Sequence, residues 1–129
     1  MKVLHILDHS IPLHSGYTFR SRAILQQQRA LGIETCHVTS PKHPASDSAS
    51  DNDSETAEGY RFYRTKAYQS WFWQLPVLKE LAVVLALKSR IKQLIKTEQP
   101  DVLHAHSPAL NGLAALWAAK SSGIPLVYE

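Results

Sequence analysis

Short apolar runs alternate with amphipathic stretches along this chain, and the alternation sets the order of its elements. Val3 to Leu7 reads as a continuous apolar strand. Asp8 to Gly16 is a loop of turn formers around Pro12. Tyr17 to Leu31 has helical spacing. Phe19, Ala23, Ile24, Gln27, Ala30 and Leu31 fall on one stripe, with Arg22, Gln26 and Arg29 opposite. Gly32 stops that helix, and Ile33 to Thr39 is a second strand. Ser40 to Glu58 then turns rich in Ser, Asp, Ala and Pro, with almost no large apolar residue. Such a segment buries too little surface to offset its ordering entropy, so a long flexible loop is expected. Tyr60 to Arg64 alternates polar and aromatic residues and is expected as a strand at the sheet edge. Leu75 to Thr97 is a long helix that tolerates Pro76 in its first turn. Asp101 to Ala105 is a fourth strand, Ala109 to Ser122 a helix of small residues ended by Gly123, and Pro125 to Tyr128 a fifth strand.

Strands separated by helices imply parallel pairing and right-handed crossovers. The expected fold is α/β: a Rossmann-like, doubly wound parallel sheet of order 3-2-1-4-5 with helices on both faces. The length of 129 residues suits one domain spanning 1–129. Hydrophobic residues at 44% supply one sizeable core. The formal charge of +3 is mild, explained as well by the basic side of the long helix (Lys79, Lys88, Arg90, Lys92, Lys96) as by an anionic ligand, and no nucleic-acid partner is expected. A single cysteine, Cys36, excludes an internal disulfide and any cysteine-based metal cluster. It sits in a strand pattern as a small buried hydrophobe. The most apolar stretch, Leu81 to Leu87, is too short to span a bilayer, and the amino terminus lacks a signal core. The expected location is the cytoplasm, with peripheral contact to the inner membrane face.

The candidate chemistry gathers where strands end. Ligands of open α/β sheets bind beyond the carboxyl ends of strands, at the point where the strand order reverses. Two loops leave that point: Asp8 to Gly16, and His106 to Pro108. Alternate residues of a strand share a face, so His104 and His106 point the same way, with His106 at the exit and the more accessible. Ser15-Gly16 stands immediately before a helix, whose free N–H groups and dipole favour anions. As a plain turn residue Gly16 needs no ligand. The G-x-G-x-x-G and P-loop patterns are both missing. His5, His37 and His104 read as satisfied core residues. His9 and His14 could approach His106, but no spacing among them is diagnostic of zinc, and no metal is expected. Asp51, Asp53 and Glu55 lack the glycine and spacing of a calcium loop and read as solvated. Of Trp71-Phe72-Trp73, one or two rings are expected to pack, a sugar or lipid platform being the other reading.

Lys2 to Leu7, the glycine before a helix ending Arg29-Ala30-Leu31-Gly32, and the run Pro100-Asp101-Val102-Leu103-His104-Ala105-His106-Ser107 together resemble the amino-terminal half of a family 4 retaining glycosyltransferase of the GT-B type. The resemblance covers nearly the whole chain. Ser15 to Arg20 and Ser107 to Gly112 look like a bacterial subgroup tied to exopolysaccharide assembly. Many relatives carry a glycine pair where this chain has Ser15-Gly16.

The resemblance implies a two-domain enzyme whose amino-terminal half binds the acceptor and whose carboxy-terminal half binds the nucleotide-sugar. That second half, with its E-x7-E motif, is absent from these 129 residues, so the chain is expected to be inactive alone. On this pattern His106 is the candidate catalytic residue, beside the transferred sugar. His14, Ser15, Gly16 and Tyr17 are the candidate substrate-binding residues, Gly16 near the donor diphosphate. Transfer would retain anomeric configuration and need no metal or other cofactor. The implied partners are a nucleotide-sugar, a glycan or lipid-linked acceptor, the missing domain, and a second copy of the fragment. The alternative is a non-catalytic domain that binds a membrane-associated glycan or a nucleotide.

Overall fold

The computed structural model describes residues 1–43, 54–68 and 75–129. In chain order the elements are β1 (Lys2–Leu7), α1 (Gly16–Ala30), β2 (Glu34–Thr39), β3 (Ser54–Ala57), β4 (Tyr60–Tyr63), α2 (Pro76–Glu98), β5 (Val102–Ala105), α3 (Ala109–Ser122) and β6 (Leu126–Tyr128). The strands form one sheet of order β3-β4-β2-β1-β5-β6. All neighbours are parallel except β3 against β4. The five strands expected from sequence stand in the expected order, and the doubly wound α/β class holds.

The added strand β3 is where the structure departs from the sequence reading. Ser54–Ala57 falls inside the segment expected as a loop, and pairs antiparallel with β4 from Ser54↔Tyr63 to Ala57↔Tyr60. Glu58 and Gly59 link the two strands with φ of 51° and 79°. Two positive φ values make the twisted two-residue turn that hairpins favour, and glycine meets that demand at little cost. The signal is weak in sequence because glutamate replaces the usual Asn or Asp. Consequently β4 is not the edge strand, and Glu55 is not solvated: it is buried and paired with Arg64 at 2.8 Å. Residues 44–53 of that segment, and Trp71-Phe72-Trp73, lie outside the described residues.

The two faces of the sheet differ in chemistry. One face carries Leu4 and Ile6 of β1, Cys36 and Val38 of β2, and Leu103 and Ala105 of β5. It packs against Val84, Leu87, Ile91 and Leu94 of α2 and the alanines of α3. Burying each of these large aliphatic side chains contributes about 1.5–3 kcal/mol. Cys36 belongs to this core, and burial pushes its thiol up to about 12.

The other face is polar at its centre and lies under α1. Here α1 buries Thr18, Ser21 and Leu25, with Gln28 continuing the stripe. The apolar stripe read from sequence is not the one that packs: Phe19 is 43% exposed and Leu31 78%. The reason is the sheet beneath. His5 and Thr35 need hydrogen-bond partners, and a polar helix face supplies them. Gln28 meets His5 at 2.7 Å, and the Arg29 Nε–H donates to Thr35 at 3.2 Å. Arg29 also lies over the Tyr60 ring at 4.1 Å, so the supposed outer face is partly engaged.

Candidate functional site

Parallel register builds the site. His5 stands opposite His37 on one side and opposite His104 on the other. Three imidazoles therefore cross the sheet in a row on the α1 face, and His106 follows His104 two residues on. Ring centroids lie 6.2 Å apart for His5–His37, 5.0 Å for His5–His104 and 5.3 Å for His5–His106. His104 and His106 stack at 4.2 Å.

The relative accessibility of His104 and His106 is the reverse of that expected. His106 is 1% exposed, whereas the His104 side chain is 13% exposed. The chain after β5 explains it. His106 N–H still bonds the Ile6 carbonyl, which extends the ladder past the strand end, and Asn111 Nδ2 donates to the His106 carbonyl at 3.1 Å. The ring is thus held inward against His5, with His5 Nδ1 and His106 Nε2 at 3.0 Å. His104 instead faces Glu129, with Nε2 and the carboxylate at 3.1 Å, and Glu129 also pairs with Arg20 of α1.

Burial decides the charge of these rings. It pushes His5 and His106 down to about 3, in each case aided by neighbouring histidines, and it lowers His104 as well. All three are neutral at pH 7, and a neutral imidazole offers a lone pair. His37 is lowered to about 4 by burial; its Nδ1–H donates to the Arg61 carbonyl at 2.8 Å while Nε2 accepts from Thr35 at 2.9 Å. It is a satisfied core residue, as the sequence suggested. Donor atoms of His5, His104 and His106 lie within 4.8 Å of one another. That trio, rather than His9, His14 and His106, is the set that could hold a metal. Metal binding would break the His5–His106 hydrogen bond.

The first loop forms the second half of the site. Ser15 caps α1, accepting from the Thr18 N–H at 3.1 Å, while the Ser15 N–H donates to Thr18 Oγ1 at 3.0 Å. The remaining first-turn N–H groups have no partner within the helix. Gly16 faces open space, with no atom within 4 Å of where a Cβ would stand. His9 bridges Asp8 and Ser15, at 3.2 Å from one and 3.1 Å from the other. The Tyr17 hydroxyl accepts from the Asp8 N–H at 3.0 Å, and burial pushes it up to about 12. Ser15, Gly16 and Tyr17 therefore belong together. His14 does not join them; it lies exposed against Phe19.

Sequence reasoning missed the residue that braces this loop. Arg64 donates to Ser10 Oγ at 2.7 Å, to the Ile11 carbonyl at 3.3 Å, to Thr39 at 3.2 Å and to Glu55 at 2.8 Å. Its position just past an aromatic strand carried no signal of burial. A separate hollow of about 520 Å³ lies beyond the carboxyl ends of β2 and β4, lined by Pro41, Lys42, Tyr68, Lys79 and Val83. It holds no set of buried polar groups comparable to the histidines. The candidate site is therefore the histidine end of the sheet.

Comparison with known proteins gives a family and a fold. Residues 15–129 match the model of the glycosyl transferase 4-like domain. A sulfoquinovosyl transferase of Arabidopsis thaliana is 30% identical over 117 residues, which cover 89% of this chain and 20% of that protein. The chain thus spans about a fifth of the length of this curated relative. Among solved structures, sucrose-phosphate synthase of Thermosynechococcus elongatus superposes with a TM-score of 0.66 at 14% identity, over 98% of this chain and 32% of that one. The C-terminal domain of a Pyrococcus furiosus hydrogenase superposes with a TM-score of 0.62 at 13% identity, over 99% of this chain and 90% of that one. At such identities the two structures speak to the fold alone, and fold does not fix function.

Proposed function

Because the chain belongs to the glycosyl transferase 4-like domain family, we propose that it is the acceptor-side half of a two-domain GT-B transferase that moves a sugar from a nucleotide-sugar to a glycan or lipid-linked acceptor. The observation that carries this reading is that neutral, inward-held His106 and the open helix start at Gly16 follow the adjacent strands β5 and β1, where the sheet order reverses. Such crevices bind ligands in open α/β sheets.

In this mechanism negative charge develops on the leaving diphosphate. The free N–H groups of the first turn of α1 stabilise it, and the missing side chain at Gly16 lets phosphate oxygens approach. His106 contacts the transferred sugar through a hydrogen bond and sets its orientation, which is the part of the barrier that positioning can remove. Transfer proceeds with retention and without a metal, the histidines acting as neutral hydrogen-bonding groups.

The acceptor docks at the same edge of the sheet, toward the hollow at Lys42 and Lys79. Beside it Val77 of α2 is 84% exposed, with Leu75 and Leu81 also exposed. Apolar side chains next to lysines suit the headgroup region of an anionic membrane, which fits peripheral attachment from the cytoplasmic side and an exopolysaccharide-type lipid acceptor. Among the described residues no helix is long and apolar enough to cross a membrane. Expressed alone, the chain would associate through β6, an edge strand on which Val127 and Tyr128 are about half exposed.

The test is transfer of label from a panel of nucleotide-sugars to a membrane lipid extract by the intact protein carrying this domain. Label in the lipid fraction supports the reading. Tight binding of a glycan or nucleotide with no transfer under any donor would instead make this a binding module.

A further inference from the structure

His106 and Asn111 carry an unexplained feature. Among the described residues, His106 Nδ1 and Asn111 Oδ1 are both buried without a hydrogen-bond partner. Buried polar atoms are paired in the great majority of cases, so two orphans on one turn point to a guest. What kind of guest depends on whether Nδ1 carries a proton.

The hydrogen-bond chain answers that. Gln28 Oε1 stands 2.7 Å from His5 Nε2. An amide oxygen only accepts, so the His5 Nε2 must carry the proton and donate it. A neutral imidazole has one N–H, so His5 Nδ1 is then an acceptor. It faces His106 Nε2 at 3.0 Å, so the proton of His106 sits on Nε2 and is donated to His5. His106 Nδ1 is left with a bare lone pair. Asn111 uses its Nδ2 on the His106 carbonyl, which leaves Oδ1 as the second acceptor at the same turn.

We propose that Gln28 and His5 are positioning residues that lock His106 in the Nε2-protonated tautomer, so that Nδ1 and Asn111 Oδ1 form a pair of acceptors for a hydroxyl-bearing guest. A guest that donates two hydrogen bonds satisfies both orphans, and vicinal sugar hydroxyls do this. A guest offering only acceptors, such as a phosphate oxygen, is turned away from this turn and left to the helix start at Gly16. The two ends of the site thereby divide a nucleotide-sugar between them by hydrogen-bond polarity. The identity of the guest as a sugar rests on the transferase reading above; the tautomer does not.

The tautomer is read by long-range 1H–15N NMR of the histidine rings in the 129-residue chain near pH 7.5, where His5 and His106 are neutral. The expected spectrum shows Nε2-protonated rings for both. Gln28→Leu removes the oxygen that fixes the order, and the His106 tautomer ratio should shift toward Nδ1–H by about fivefold, the worth of one ordinary hydrogen bond. A wild-type His106 protonated on Nδ1 would overturn the proposal, as would an unchanged ratio in Gln28→Leu. One equivalent of Zn(II) should leave the spectrum unaltered; joint perturbation of His5, His104 and His106 would make the trio a metal site instead. These spectra are taken without substrate, so a failure of the transferase reading would appear in turnover and not here.

Discussion

Acid should unfold this domain at a pH where its carboxylates are still charged, because its buried histidines cannot accept protons. His5 and His106 are held near 3 and His37 near 4, against an ordinary 6.5. Each side chain is buried, at 0%, 1% and 1% exposure. The unfolded chain therefore binds more protons than the folded one below about pH 6.5, and stability falls as pH falls. The histidine contribution is fully present above the unfolded value and is lost on the way down toward 3–4. Between about pH 7.5 and 5 each of the three rings should cost about 2 kcal/mol, or about 6 kcal/mol together. That approaches the whole stability of many domains, about 5–15 kcal/mol. The assay is urea unfolding followed by circular dichroism across that range. The slope should steepen to about 4 kcal/mol per pH unit near pH 5. Glu98, whose carboxyl is held low by Lys2 and Tyr63, acts in the same direction only at more acid pH. Unfolding free energy that stays flat from pH 7.5 to 5 would refute the neutral, desolvated histidine row.

Other consequences are sharper in position. Glu55→Gln leaves the buried Arg64 guanidinium short of its counter-charge and should cost about 3–5 kcal/mol, seen as a lowered urea midpoint; a surface-like loss below ~1 kcal/mol would contradict the brace. Gly59→Ala keeps free space around the new methyl but strains a residue at φ 79°, and should cost about 1–2 kcal/mol by the same assay. Leu87→Ala, at the fully buried contact of α2 with the sheet, should cost about 2–5 kcal/mol with no change in the histidine NMR signals. The 129-residue chain by itself should transfer no label from any nucleotide-sugar; turnover by the isolated chain would contradict the division of labour between two halves.

Much of the fold was legible because its signals are periodic. Apolar runs at Val3–Leu7 and Leu103–Ala105 mark central strands whichever residues flank them, and Gly32 and Gly123 stop their helices visibly. The α1 face was not legible for a physical reason. A hydrophobic stripe predicts burial only when the opposing surface is apolar, and here the opposing surface is His5, His37 and Thr35. Half-buried Gln28 meets His5 and Arg29 meets Thr35, while Thr18 and Ser21 are buried with their hydroxyls bonded within α1 and its cap. The β3–β4 hairpin escaped notice because its turn is Glu-Gly and its first strand is Ser-Glu-Thr-Ala, which looks like solvated chain until Arg64 pairs with Glu55. Sequence placed His106 directly after the fourth expected strand and Ser15-Gly16 at the start of the first helix, where the structure also has them. It could not show that β1 and β5 stand in register. That register, opposing His5 to His104, turns isolated core histidines into a connected row and draws His106 inward rather than outward.

The central claim is that His106 holds the transferred sugar, and it meets its most direct test in the intact protein carrying this domain with His106→Asn. Because His106 is buried, turnover is compared at a temperature well below the melting points of both proteins, after melts have fixed that temperature. The account predicts a loss of about 100-fold or more in kcat/KM, with the variant still folded and still binding nucleotide. Turnover equal to wild type in a folded His106→Asn protein would contradict it and leave His106 a residue of the core.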